Sequence, residues 1–543
     1  MKYTGAKILI ESLIKEGVQE IFGYPGGSIL DIYEEIYKSK GRIKHYLMAS
    51  EQGATFAGDG YARASGKVGV VLATSGPGAT NLVTGIANSY LDSIPLVVIT
   101  GNVPTTKLGQ DSFQEVDIYG ITMPVVKYSY LCKRVEDLEQ IITDSFEIAK
   151  SGRPGPVLID IPKDVLTNKC EYYGNLKAQI HKKVINYTPD YNKAIELINN
   201  CKKPFIYCGG GVVSGDCGDK VLKLAEIIDS PIATTMMGKT AVPNDNIHFI
   251  GMTGMHGNQS ANDLKENADL IIALGVRFND RATCDKCKFD DKKIIHVDID
   301  LVELNKNIEC DCLIKSDINE FLDNVIAKVN KKENTSWWQE IGEKKKEDYI
   351  YNAAGFTPNN IVKLLSENLS ENDIIATDVG QHQLWTAQSY TFKNSRTFLT
   401  SCGLGAMGYG LGACIGGMLG AGKRGVLITG DGSFLMNSNE LAVAVEHKMP
   451  LMIVVMNNGS LGMVKQWQTA FYKKHYCGTD IAGRVDFEIL AKAYGVEKSY
   501  TIKNIEDLQN VMDKNKNFKQ PILINCIIDS NAEVMPFVHP DKM

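Results

Sequence analysis

Short runs of β-branched and other apolar residues recur along the chain, alternate with amphipathic segments and fall into three groups. The first group holds Gly69–Thr74, Pro95–Thr100 and Pro156–Asp160. The second holds Pro204–Cys208, Asp269–Leu274 and Lys293–Asp298. The third holds Asp373–Thr377, Gly425–Thr429, Leu451–Val455 and Pro521–Asn525. This grammar predicts an α/β fold of parallel sheets flanked by helices. Ala6, Leu9, Ile10, Leu13 and Ile14 mark an amphipathic helix near the start, with no secretory apolar region and cleavage site. Polar stretches from about 166 to 192 and from 328 to 351 separate the groups, so the expected domains are 1–165, 190–328 and 355–543. The charge run in the second stretch, Lys331–Asn334 and Glu343–Glu347, reads as a solvated helix or linker. Gly403 to Gly422 is uncharged and long enough to suggest a membrane span. Its many glycines, with Tyr409 and Cys414, predict a buried, closely packed helix instead.

Composition narrows the class. With 44% apolar and 22% charged residues over 543 positions, the chain reads as a folded protein of about three domains. A net charge of −6 without a dense basic block disfavours nucleic acid as a partner. Thirteen cysteines without an export signal predict reduced thiols and a cytoplasmic location.

Glycines gather where the expected strands end: Ser75-Gly76-Pro77-Gly78, Gly209-Gly210-Gly211 and Gly430-Asp431-Gly432. Such turns let main-chain N–H groups approach an anion at a helix N-terminus, although many serve only as tight turns. The third is more specific. Asn457-Asn458 follows it after a helical pattern and the apolar run Leu451 to Met456. Asp431 and Asn458 therefore stand at the same ends of two parallel strands. A carboxylate, an amide oxygen and a main-chain carbonyl suit a Mg²⁺ that also takes diphosphate oxygens.

The Gly430-to-Asn458 pattern resembles the signature of thiamine diphosphate enzymes. Further segments are similar to acetolactate synthase (acetohydroxyacid synthase) catalytic subunits: Tyr24-Pro25-Gly26-Gly27, Glu51-Gln52-Gly53-Ala54, Gly58–Arg63, Phe113-Gln114-Glu115, Gly152–Val157, Gly254–Gly257, Gly380–Gln383, Gly403–Gly408 and Leu461–Gln468. They span nearly the whole chain in order. The resemblance implies a first domain for the aminopyrimidine, a Rossmann-like FAD-binding middle domain and a third domain for diphosphate and Mg²⁺. It also implies active sites between two chains, in a homodimer or tetramer, and a possible small regulatory subunit.

By the same resemblance Glu51 is the acid at the aminopyrimidine, in an apolar setting from Tyr24, Ala54 and Val97 that raises its pKa. Gln114 and the main chain at Gly26-Gly27 polarise an oxygen of the donor or intermediate, and Lys163 stands at the site entrance. Pro25, Gly26, Gln381, His382, Gly405, Gly430, Gly432, Ser433 and Met463 contact thiamine diphosphate, with Met407 as the wedge beneath it. Asp431, Asn458 and Ser460 hold the metal. Phe113, Arg281 and Trp467 form the pocket for the second ketoacid, with Arg281 clamping its carboxylate. Gly209, Gly210, Gly211, Thr235, Met255, His256, Gly257, Arg277, Asp298, Asp300 and Asp317 surround FAD, which has a structural role in this redox-neutral reaction. The implied reaction joins two pyruvates, or pyruvate and 2-oxobutanoate, with loss of CO₂, toward valine, leucine and isoleucine.

The chain departs from the family at Ser50, usually histidine; Met123, usually arginine; Lys239-Thr240, usually Leu-Gly; Asn279, usually aspartate; and Cys402, usually glycine. These put FAD binding and substrate choice in question more than thiamine chemistry. Cys284/Cys287 and Cys310/Cys312 invite a zinc or redox reading, but the second spacing is too short for usual zinc sites. Three other functions compete. A ketoacid decarboxylase usually carries a His-His pair, absent from the sequence. A catabolic, FAD-independent acetolactate synthase typically lacks the loop that Arg277–Arg281 approximates. A non-catalytic regulatory homologue has no need of Glu51.

Overall fold

The computed structural model describes residues 1–180, 187–284, 286–348 and 355–537, with the backbone alone for Lys286, Cys287 and Glu347. Three six-stranded sheets carry the fold. The first runs in the order Lys44–Leu47, Glu20–Gly23, Gly69–Ala73, Leu96–Asn102, Pro156–Pro162, Tyr128–Leu131. The second runs Phe249–Met252, Ile232–Thr234, Pro204–Cys208, Leu270–Leu274, Lys293–Asp298, Cys312–Lys315. The third runs Phe398–Leu399, Ile374–Thr377, Gly425–Gly430, Leu451–Asn457, Ile522–Ile527, Lys498–Ile502. Every pairing within them is parallel.

In each sheet the strands predicted from apolar patterning form the contiguous centre, and those the pattern missed lie toward the edges. Helices cover both faces of a central strand, so Gly425–Gly430 is buried at every position. Edge strands face water in part: Lys44–Leu47 and Lys498–Ile502 mix exposed with buried positions and lose the apolar signal.

The units extend past their apolar cores. Lys169–Glu171 pairs antiparallel with Lys2–Thr4, so the chain beyond 165 still packs on the first unit. The helix Thr335–Glu347 docks on the middle unit. Its Trp337 is fully buried and donates from Nε1 to the Pro204 carbonyl at 3.0 Å. Of its charge run, Glu343 and Lys346 face water, whereas Lys344 pairs with Asp263 at 3.1 Å and Lys345 donates to the Phe249 carbonyl at 3.0 Å.

The first and third units meet through two helices, Glu51–Ser65 and Tyr409–Ala421. A Cβ on Gly416 would lie 1.8 Å from the Ala57 carbonyl oxygen, and one on Gly60 would lie 2.0 Å from that of Ala413. The glycines of the uncharged stretch let two backbones touch. Among the described residues no helix is long and apolar enough to cross a membrane.

Candidate active site

The third sheet sets the geometry. Gly430 pairs with Met456, so Asp431, first residue of the helix Asp431–Asn437, is level with Asn457 and next to Asn458. Asp431 is buried, and burial raises its carboxyl to about 6 against N–H groups of Gly432, Gly459 and Ser460 that pull it down. Among the described residues no lysine or arginine pairs with it, so this buried carboxylate is left for a cation to neutralise. Asn458 Oδ1 accepts from the Ser460 N–H at 3.0 Å, and the Ser460 hydroxyl donates to the Thr479 carbonyl at 3.0 Å. Hard oxygens are thus gathered at the ends of two strands, as a hydrated Mg²⁺ requires.

His382 is buried against Gly430, where a Cβ would lie 2.9 Å from its Nδ1. Burial drives its imidazole down to about 3, so it is neutral, and its Nε2 has no partner in the protein. An orphaned buried nitrogen in a cavity wall fits an anionic ligand in the tautomer that places the ring proton on Nε2. The Gln381 side chain is already engaged. It donates to Gln466 Oε1 at 3.0 Å and the Ala532 carbonyl at 2.8 Å, and it accepts from Asn458 Nδ2 at 3.2 Å. What Gln381 offers an anion is its main-chain N–H, in the first turn of the helix Gln381–Ser389. The Met407 methyl lies 3.9 Å from where a Gly432 Cβ would stand, beside the Gly-Asp-Gly turn. Gly405, Ser433 and Met463 complete this wall.

The same cavity, about 980 Å³, continues to the second sheet. There Gly209, Gly210, Gly211, Thr235, Met255 and His256 line it, with Arg277, Asp298 and Asp317. Gly209 is required by chain crossing, since a Cβ would lie 2.0 Å from the Gly275 carbonyl oxygen. His256 is buried, its imidazole pushed down to about 4, with Nδ1 unpartnered and the ring stacked on Phe537. Asp298 is raised to about 6 by burial. Two expected residues stand outside the wall. Gly257 is tucked against the Met252 carbonyl, and Asp300 accepts from the Val302 N–H at 3.0 Å. Arg277 donates to the Leu91 carbonyl at 2.6 Å, tying this loop to the first unit.

The departures have local explanations in part. Asn279 caps the helix Asp280–Thr283 by accepting from the Ala282 N–H at 3.0 Å, a task aspartate shares. Cys402 contributes its main-chain N–H to Asp92 at 3.1 Å. Lys239 is buried with its ammonium 4.9 Å from the Phe249 ring centroid, and burial lowers it to about 7; Thr240 lines the cavity. Nothing in the structure explains Met123, which is exposed. Cys310 and Cys312 pack into different core layers, which separates them as metal ligands. Cys284 is a free thiol, and the Cys287 side chain lies outside the described residues.

Arg281 and Trp467 also line the cavity. The other expected residues sit apart from it, at the C-terminal ends of the first sheet. Glu51 Oε2 accepts from Asn81 Nδ2 at 2.9 Å, and a Cβ on Gly78 would lie 3.1 Å from Glu51 Oε1. Gln114, in the left-handed region at φ 59°, packs against Gly76 of the same turn. Lys163 Nζ donates to the Gly27 carbonyl at 3.1 Å, and Gly26 lies against Thr74. This face is open within one chain: Pro25 and Gly27 are exposed, Tyr24 is 41% exposed and Phe113 88%. The dry setting expected for Glu51 is therefore incomplete here, because Ala54 and Val97 point into cores and Tyr24 faces outward. Sequence reasoning does not single out Asn81, because its contact with Glu51 spans 30 positions.

Three family models match the chain. They are "Thiamine pyrophosphate enzyme, N-terminal TPP binding domain" over residues 3–121, "central domain" over 191–325 and "C-terminal TPP binding domain" over 378–526. The acetolactate synthase large subunit of Cyanidium caldarium is 40% identical over 99% of this chain and 95% of its own length. That of Buchnera aphidicola is 40% identical over 98% and 96%, and the acetolactate synthase of Arthrospira platensis 40% over 99% and 96%.

Proposed function

The chain belongs to the acetolactate synthase family of thiamine diphosphate enzymes, and from that premise we propose the roles its residues take. It condenses pyruvate with a second pyruvate, or with 2-oxobutanoate, releasing CO₂, in branched-chain amino-acid biosynthesis in the cytoplasm. Bound thiamine diphosphate supplies a carbon nucleophile and an electron sink for the decarboxylation. Asp431, Asn458 and Ser460 hold Mg²⁺, and His382 and the Gln381 main chain bind the diphosphate. Met407 supports the cofactor from beneath. Glu51 holds and returns a proton at the aminopyrimidine ring nitrogen, steadied by Asn81. Gln114 and Gly27 orient the reacting oxygens, with Lys163 fixed to Gly27. Arg281 binds the carboxylate of the second ketoacid beside Trp467, and Phe113 is brought to the pocket by the other chain. FAD occupies the Gly209–Gly211 end of the cavity; the unpartnered Nδ1 of His256 supports this.

The observation that carries the reading is a separation. The anion and metal groups line the cavity, whereas Glu51, Gln114 and Lys163 form an open face elsewhere on the chain. Two chains placed face to face complete each site, giving a homodimer that can pair into a tetramer. The name "large subunit" of the relatives supports a small regulatory chain as a further partner. The test is purified protein with pyruvate, thiamine diphosphate and Mg²⁺, with and without FAD, scored for acetolactate against acetaldehyde. Acetolactate that depends on FAD is expected. Acetaldehyde alone, or no product, would contradict the assignment.

A further inference from the structure

Glu440 closes the short turn Ser438–Glu440 that follows the helix Asp431–Asn437, and it crosses from the third unit into the first. Its side chain is fully buried. One carboxylate oxygen accepts from the Ala49 N–H at 3.0 Å, and the other from the Ser50 hydroxyl at 3.0 Å. Ser50 is the N-cap of the helix that opens with Glu51, and its hydroxyl oxygen also accepts from the Gly53 N–H at 3.0 Å. Gly53 makes room: a Cβ there would lie 1.8 Å from Glu440 Oε1. A buried carboxylate thus docks at the N-terminus of a helix, where the unpaired N–H groups and the helix dipole favour negative charge.

We propose that Glu440 is a positioning residue for Glu51, fixing the two residues before it so that its carboxyl is presented at a set angle to the cofactor. The inference rests on the reading of Glu51 as the proton-carrying acid. The Ala49 N–H needs an acceptor oxygen, so an amide in place of the carboxylate can keep that bond only with its NH₂ toward Ser50, whose hydroxyl must then turn from donor to acceptor. Ser50, where relatives of this family usually carry histidine, provides the short hydroxyl that one of them uses. Glu440 belongs to the segment that follows Asp431. It therefore ties the acid presented to one cofactor to the metal turn that holds the other.

The test uses Glu440→Gln, Ser50→Ala and Glu51→Gln in the full-length protein with two readouts. Amide hydrogen exchange of the 49–54 segment is followed in cofactor-free protein. Exchange of the thiamine C2 proton into D₂O is followed by NMR in protein loaded with thiamine diphosphate and Mg²⁺. Glu440→Gln is expected to speed amide exchange at Ala49 and Gly53. It should also slow C2 exchange by about 10- to 100-fold, the scale of a misplaced catalytic group, with cofactor affinity unchanged. Ser50→Ala, the milder change, is expected to do both to a smaller degree and keeps the test alive if Glu440→Gln does not fold. C2 exchange at the wild-type rate in both variants, with Glu51→Gln slow, would overturn the role of Glu440 and leave that of Glu51 standing. Wild-type C2 exchange in Glu51→Gln would instead overturn the reading beneath it.

Discussion

The Arg281 guanidinium lies 5.2 Å from the centroid of the Trp467 ring, joining a short helix of the middle unit to a helix of the third over the cavity. A cation held on an aromatic face keeps its outer N–H groups free for a carboxylate. Arg281→Ala is expected to lower kcat/KM for the second ketoacid by about 10- to 100-fold, the worth of a charge-assisted hydrogen bond. Trp467→Ala should shift the preference between pyruvate and 2-oxobutanoate. Competition assays with both acceptors check this; unchanged KM values in Arg281→Ala would remove the clamp.

His382 offers a free Nε2 in the cavity wall. His382→Ala is expected to weaken thiamine diphosphate binding by about tenfold, through loss of one hydrogen bond to a charged group. Titration of the cofactor by intrinsic fluorescence measures it. Chelation of Mg²⁺ should release the cofactor from both proteins, and retention would argue against the Asp431 site.

Asp160 is buried in the first sheet, accepting from Thr100 at 2.7 Å and Asn102 at 2.5 Å, and burial raises its carboxyl to about 7. The folded state therefore holds a proton between about pH 4 and 7 that the unfolded chain releases, so Asp160's contribution to stability falls as pH rises through that window. Asp160→Asn mimics the protonated form. Its stability relative to wild type should improve by on the order of 2–4 kcal/mol from pH 4 to pH 8. Denaturant midpoints at the two pH values measure the change, and a constant difference would contradict it.

The contact of helices Glu51–Ser65 and Tyr409–Ala421 leaves no room for side chains at Gly60 and Gly416. Gly416→Ala is expected to destabilise the protein by about 1–3 kcal/mol or more, because rigid main chain cannot move aside. Thermal unfolding tests it. A variant as stable as wild type would show that the helices can part without cost.

Much of this was legible in residues that act through local geometry. Asp431 and Asn458 are set by strand ends and a fixed spacing, and the central strands by apolar runs buried on both faces. The glycines, with Tyr409 and Cys414, marked a buried helix, which the structure shows over Tyr409–Ala421, while Gly403, Leu404 and Gly422 face water. What escaped depended on partners distant in sequence. Trp337 looked like part of a charged linker because its burial needs Pro204 across the middle unit. Glu440 carries no local signal because its partners, Ala49 and Ser50, lie almost 400 residues away. The edge strands Lys44–Leu47 and Lys498–Ile502 escaped because part of their length faces water, and Phe249–Met252, though buried, because it is short.

The central claim is that Glu51 of one chain serves the metal and diphosphate site of another. Mixing Glu51→Gln chains with Asp431→Asn chains, each inactive alone, tests it directly. Hybrid dimers built with sites between chains contain one intact site, so random reassortment should restore about a quarter of wild-type acetolactate formation. If both residues served the same chain's site, every site in the mixture would carry a defect and no activity would return.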